Sequence, residues 1–290
     1  MGIVKKHLKK IIFLLITLTI IILGILSYEL LLGKLFPYFP VKIGFAKYEL
    51  SNIVIYIQNG AKYRDLKAID SLFPSIEDFH QLKFLKKPDI YIFRDRENYL
   101  QRSISKARFC AYPNGSLLIS PWALKESDEG TISLNIYLKH ELSHTLLYQH
   151  MGFITAYFYY PRWLLEGIAV YSSNQMGTSW YPDKEETYEF IKEGNFMPPD
   201  FYNSNKEDQV QINVKNRIAF IYSEFGCIVD YMISTGGKDK FLNYMKTLLY
   251  NNNHEQVFKH MYGISFDKFL INFKEYIKLR KSITTTPGKY

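Results

Sequence analysis

The chain opens on its longest unbroken apolar run. Residues 11–28 read IIFLLITLTIIILGILSY without a single charge, and Leu30, Leu31 and Leu32 continue it past Glu29. A helix needs about 20 apolar residues to cross a bilayer, so the run predicts a spanning helix over 11–32. Pro37 and Pro40, within LFPYFP, end that helix and predict a stiff juxtamembrane linker over 33–51. The pattern then shortens. Residues 52–58 (NIVIYIQ) have the β-branched, aromatic character of a strand and stop at Asn59-Gly60, and 88–93 (PDIYIF) read as another. Between them, 61–85 carry apolar residues near helical spacing, broken or kinked at Pro74. Residues 109–112 and 116–120 flank the turn Pro113-Asn114-Gly115 as two short strands. Beyond Ser120 the period becomes helical, with helices expected over 132–150, 161–174, 209–234, 238–249, 254–261 and 266–281. No internal repeat is found. The expectation is one α+β domain over 52–281, sheet-bearing to about 152 and helical after it, with a disordered tail over 282–290.

Charge gives the first segment a direction. Lys5, Lys6, Lys9 and Lys10 precede the apolar run, which predicts a cytoplasmic tail over 1–10 and an extracytoplasmic remainder: a single-pass membrane protein in contact with the lipid bilayer. A cleaved signal peptide is the alternative. Against it stand the length of the run, the lack of an A-x-A-like site after it, and the lack of a cysteine for lipid attachment. The formal net charge of +8 falls to +4 without those four lysines, and no basic stripe interleaved with aromatics follows, so no nucleic-acid partner is expected. With 47% hydrophobic and 17% aromatic residues, the chain is not of a disordered class. Its two cysteines, Cys110 and Cys227, form no CxxC pair, which excludes a thiolate zinc site; one bridge or two separate buried thiols both fit.

Within the helix expected over 132–150 lies His140-Glu141-Leu142-Ser143-His144, an HExxH motif. Residues four apart on a helix share a face, so both imidazoles can point at one ion. Glu141, one position along, can then reach a water at that ion and take its proton. A catalytic zinc needs a third protein ligand and an open position. Glu166, within PRWLLEGIAVY, is a carboxylate among Trp163, Leu164, Leu165, Ile168, Ala169 and Val170, where an unpaired charge is costly. Zinc would satisfy it; a helical pair with Arg162 is the bland alternative. Gly167 and Ala169 are small enough for this helix to approach the HExxH helix closely.

HELSH followed by WLLEGIAVY resembles the gluzincin metallopeptidases, especially the bacterial peptidase MA-like domains related to aminopeptidase N and thermolysin. The resemblance runs from about 52 to 277 and is specific only in the two motifs. It implies a zincin-like fold holding one Zn2+ per chain, a peptide or protein substrate, His140, His144 and Glu166 as metal ligands, and Glu141 as general base. Two softer roles follow from it. Residues 108–112 become a candidate edge strand for pairing with extended substrate, against an ordinary interior hairpin. Tyr222 becomes a candidate oxyanion stabiliser, although in a chain with 24 tyrosines a packing role competes. The aromatic run 153–160 reads as core, with walling the cleft or touching lipid as the alternatives. Two rival functions remain at this level: a non-catalytic, metal-stabilised binding module at the membrane surface, and a zinc hydrolase acting on a non-peptide substrate. A closed, four-ligand site would mark the first.

Overall fold

The computed structural model describes residues 2–61, 63 and 66–280; the expected tail over 282–290 and part of the segment 61–85 lie outside the described residues. Helix α1 (Gly2–Leu31) is long and apolar enough to cross a membrane, with a mean hydropathy of 2.7 over its most apolar 18 residues and most of its apolar side chains exposed. The same length and apolarity suit a membrane span and a signal sequence alike. After α1 the chain folds back in turns, and Phe36 is fully buried against Phe45 and Tyr91, ring centroids 5.2 Å away in each case.

The sheet has five strands: β1 (Phe45–Glu49), β2 (Val54–Gln58), β3 (Asp89–Ile92), β4 (Phe109–Ala111) and β5 (Ser116–Ile119), in the order β1-β2-β3-β5-β4. Strands β2, β3 and β5 run parallel, while β1 and β4 pair antiparallel at the two edges. The central parallel strands read as nearly continuous apolar runs because both of their faces are covered. Strand β1 falls within the stretch expected to be linker. Its outward positions are exposed, which gives Phe45–Glu49 little apolar periodicity to read.

Helices α2 (Leu66–Asp70), α3 (Phe73–His80), α4 (Arg96–Arg102), α5 (Pro121–Asp128) and α6 (Leu134–His150) accompany the sheet. The helical stretch is broken rather than kinked before Pro74, which sits in the first turn of α3, where its missing N–H costs nothing. The helical lobe comprises α7 (Arg162–Ser173), α8 (Lys184–Lys192), α9 (Arg217–Gly236), α10 (Lys238–Leu248), α11 (His254–Tyr262) and α12 (Phe266–Leu279). Helices α4, α5 and α8, which are 7, 8 and 9 residues long, have no counterpart among the expected helices. Their caps are nonetheless written in the sequence: Asp95, Ser120 and the Asp183–Glu186 capping box.

Three sequence expectations are corrected here. The helix expected from 209 begins only at Arg217, because Val210, Ile212 and Val214 alternate with exposed Gln211, Asn213 and Lys215, a strand-like period of two. The run 153–160 is not core: Phe153, Ile154, Phe158 and Tyr159 are exposed around a π-helical turn at Thr155–Tyr159, and only Ala156 and Tyr160 are buried. Gly167 does allow a close approach, but to α9 rather than α6, since a Cβ there would lie 2.6 Å from the Phe225 carbonyl oxygen. Cys110 and Cys227 are separate buried thiols.

Candidate metal centre

Helix α6 carries the HExxH motif through the middle of the molecule, and most of its residues from Tyr137 to Leu147 are buried. Its rear face is held by a buried polar pair. His80, at the end of α3, donates from Nδ1 to the Ile76 carbonyl 2.8 Å away, which leaves Nε2 to accept from the Ser143 hydroxyl at 2.8 Å. Its front face presents His140 and His144, one turn apart, with their Nε2 atoms 3.0 Å from each other. Helix α7 packs against α6 and brings Glu166 to the same point, its Oε2 lying 3.3 Å from His140 Nε2 and 3.5 Å from His144 Nε2. Arg162 does not pair with Glu166; it donates to the Tyr157 carbonyl at 3.0 Å.

These three side chains form a group that could hold a metal ion, and among the described residues no further His, Cys, Asp or Glu joins it. The electrostatics fit such a site. Burial works against the charge on Glu166, but the imidazoles of His144 and His140 overcome it and hold the carboxyl well below the usual range. Burial would depress His140, and the bond and charge of Glu166 reverse that, raising it. The Nδ1 atoms of both histidines are buried without a hydrogen-bond partner, as is Gln175 Oε1.

Glu141 lies beside the group in an open cleft of about 380 Å³. Burial raises its carboxyl pKa, opposed by the two histidines and by the backbone of Ala111. That backbone belongs to β4, the edge strand that sequence reasoning singled out. Ser120 N donates to Arg108 O and Tyr112 N to Ser116 O, so the alternation of an antiparallel pair turns the Phe109 and Ala111 amides away from β5, toward the cleft. Arg108 stands at the rim, bonded to Glu126 and 4.4 Å from the Trp180 ring centroid. Tyr222, on α9, stacks over His140 with centroids 6.1 Å apart and shares a 3.1 Å hydrogen bond with the Tyr202 hydroxyl. Burial first, then the charge of Glu166, raises its phenol far above the ordinary value, so it stays protonated and able to donate.

Three cleft residues had no sequence signal, Tyr148, Trp180 and Tyr181, and Gln175 carried only an indirect one. It follows Asn174, a left-handed helix-ending residue (φ 56°) of the kind expected at the end of α7. Trp180 and Tyr181 also line a second, mostly apolar cavity of about 270 Å³ with Phe190 and Phe220. No family model matches this chain, and no curated protein matches it significantly.

Proposed function

We propose that the chain is a zinc metallopeptidase of gluzincin type, with a zincin-like fold, anchored by α1 with its catalytic domain outside the cytoplasm. One observation carries this reading: three donor atoms stand 3.0, 3.3 and 3.5 Å apart beside a carboxylate in an open cleft. A tetrahedral zinc with ligand bonds of about 2.0–2.1 Å has ligand–ligand edges of roughly 3.3–3.4 Å, so the triangle fits one face of it. The open fourth side favours catalysis over a closed structural site.

Zinc bound there would polarise the scissile carbonyl and lower the pKa of its water. The remaining work belongs to the chain. Glu141 receives the proton from water and passes it to the leaving amine. The outward amides and carbonyls of Phe109 and Ala111 pair with an extended substrate, aligning its carbonyl over the site. Tyr222 donates its phenol toward the developing oxyanion. A folded peptide does not fit such an edge, which makes extended segments of peptides or proteins the expected substrates.

The test uses the full chain in nanodiscs, with zinc content, thermal midpoint and cleavage of a peptide library measured on the same preparations. Glu141→Gln is expected to keep zinc and midpoint while hydrolysis falls by about 100- to 10,000-fold. His140→Ala and Glu166→Ala are expected to lose zinc and activity together. Cleavage by Glu141→Gln at the wild-type rate would overturn the mechanism.

A further inference from the structure

The connection between α6 and α7 places apolar side chains in solvent, where the Phe153 and Phe158 rings meet only the neighbouring Tyr157 ring among the described residues, with centroids 4.5 and 6.3 Å away. Phe153, Ile154, Phe158 and Tyr159 are 62%, 62%, 75% and 46% exposed, while Ala156 and Tyr160 fix the same segment to the core. No charged residue occurs from Met151 to Pro161. The segment is also continuous with the exit of α1. The Tyr157 hydroxyl lies 3.3 Å from that of Tyr38, seven residues beyond the end of α1, and the neighbouring Pro37 carbonyl accepts from Asn114 at 2.8 Å. Helix α1 is itself held to this flank: Lys34 Nζ donates to the Leu100 and Ser103 carbonyls, and Gln101 donates to the Tyr28 hydroxyl at 2.8 Å.

We propose that the segment Phe153–Tyr159 is a membrane-seated element, inserting its exposed aromatic and aliphatic side chains into the bilayer interface beside α1. This rests on the reading of α1 as an anchor. Phenylalanine and tyrosine are at home at that depth, where ring and hydroxyl meet acyl chain and headgroup. A protein partner is the weaker occupant. Four such side chains, each burying about 150–250 Å² when fully covered, would here bury only about 400–600 Å², against the roughly 800 Å² per partner of a stable complex. Because the segment joins the two helices that carry His140, His144 and Glu166, its seating ties the cleft to the membrane surface.

The full chain is reconstituted in phosphatidylcholine–phosphatidylglycerol nanodiscs with a nitroxide on one introduced cysteine; the native Cys110 and Cys227 are buried and stay unlabelled. Three positions are compared by collision with oxygen, which partitions into lipid, and with a water-soluble nickel chelate. Leu18→Cys lies within α1, and Leu279→Cys stands 87% exposed between Lys278 and Arg280, in water. Phe158→Cys is expected to show an oxygen-to-nickel ratio shifted toward that of Leu18→Cys, and Phe153→Cys to agree with it. A ratio like that of Leu279→Cys overturns the proposal. So does shielding from both reagents, the sign of a second copy or another protein on the patch. A water-like ratio at Leu18→Cys overturns the anchor reading itself, and the proposal with it.

Discussion

Gln175 owes its place beneath the site to one left-handed residue. Asn174 turns the chain at the end of α7, and the Gln175 amide donates back to the Val170 carbonyl at 3.1 Å, which folds its side chain under His140 and Tyr137. Its Oε1 and His140 Nδ1 are both buried and unpartnered, so a small rotation pairs them. A metal-bound imidazole ordinarily donates its second N–H to such an acceptor, which fixes tautomer and ring orientation. Gln175→Leu, nearly the same shape without the acceptor, is therefore expected to weaken zinc affinity by about 10- to 100-fold. Competition against a chromogenic chelator measures this, and unchanged affinity would reduce Gln175 to packing. His140, Glu141 and His144 were legible in sequence because one helical turn alone sets their relation. Glu166 was legible through the cost of an unpaired carboxylate among apolar neighbours and through the resemblance of WLLEGIAVY.

Among the elements, α7 is packed between two others. It packs on α6 with the face that carries Glu166 and on α9 with the face that carries Gly167. Gly226 answers from α9, where a Cβ would meet Val170 Cγ1 at 2.9 Å. Intrinsic propensity favours alanine over glycine inside a helix by about 1 kcal/mol. At Gly167 the contact decides otherwise, since the atom 2.6 Å away is backbone and cannot swing aside. Gly167→Ala is expected to destabilise the protein by about 1–3 kcal/mol, the cost of overpacking. Gly24→Ala, where nothing lies within 4 Å, should be tolerated. Chemical denaturation of both variants checks this; a raised midpoint for Gly167→Ala would contradict the crossing. The sequence marked Gly167 as a contact residue and named the wrong neighbour, because a small residue announces closeness without direction.

At the scale of the molecule, each lobe buries a histidine that responds to acid. Burial pushes His80, behind α6, and His254, among Trp163, Tyr244 and Phe266, down to about 4. In the unfolded chain both titrate near 6.5. As pH falls the unfolded state takes up these protons first, so stability that is full above about 6.5 is lost progressively toward about 4, by up to roughly 1.4 kcal/mol per pH unit for each histidine. Denaturation midpoints at pH 7.5, 6 and 5 are expected to decline in the wild type and to decline less steeply in His80→Gln and His254→Asn. Equal slopes in all three would place the acid sensitivity elsewhere.

The apolar run of α1, the strands 52–58, 88–93, 109–112 and 116–120, and the pairing of His140 with His144 were settled by the sequence alone. Each depends on interactions within a few residues: spacing along one helix, alternation along one strand, a turn at Pro113-Asn114-Gly115. Tertiary structure decided what contacts between distant segments decide. It put β4 rather than β5 at the edge beside Glu141, turned Glu166 toward the histidines and away from Arg162, and set Gly167 against α9. It also left Phe153, Ile154, Phe158 and Tyr159 outside the core. Hydrophobicity states only that such side chains avoid water, and whether they meet the core or another surface depends on the space the other helices leave.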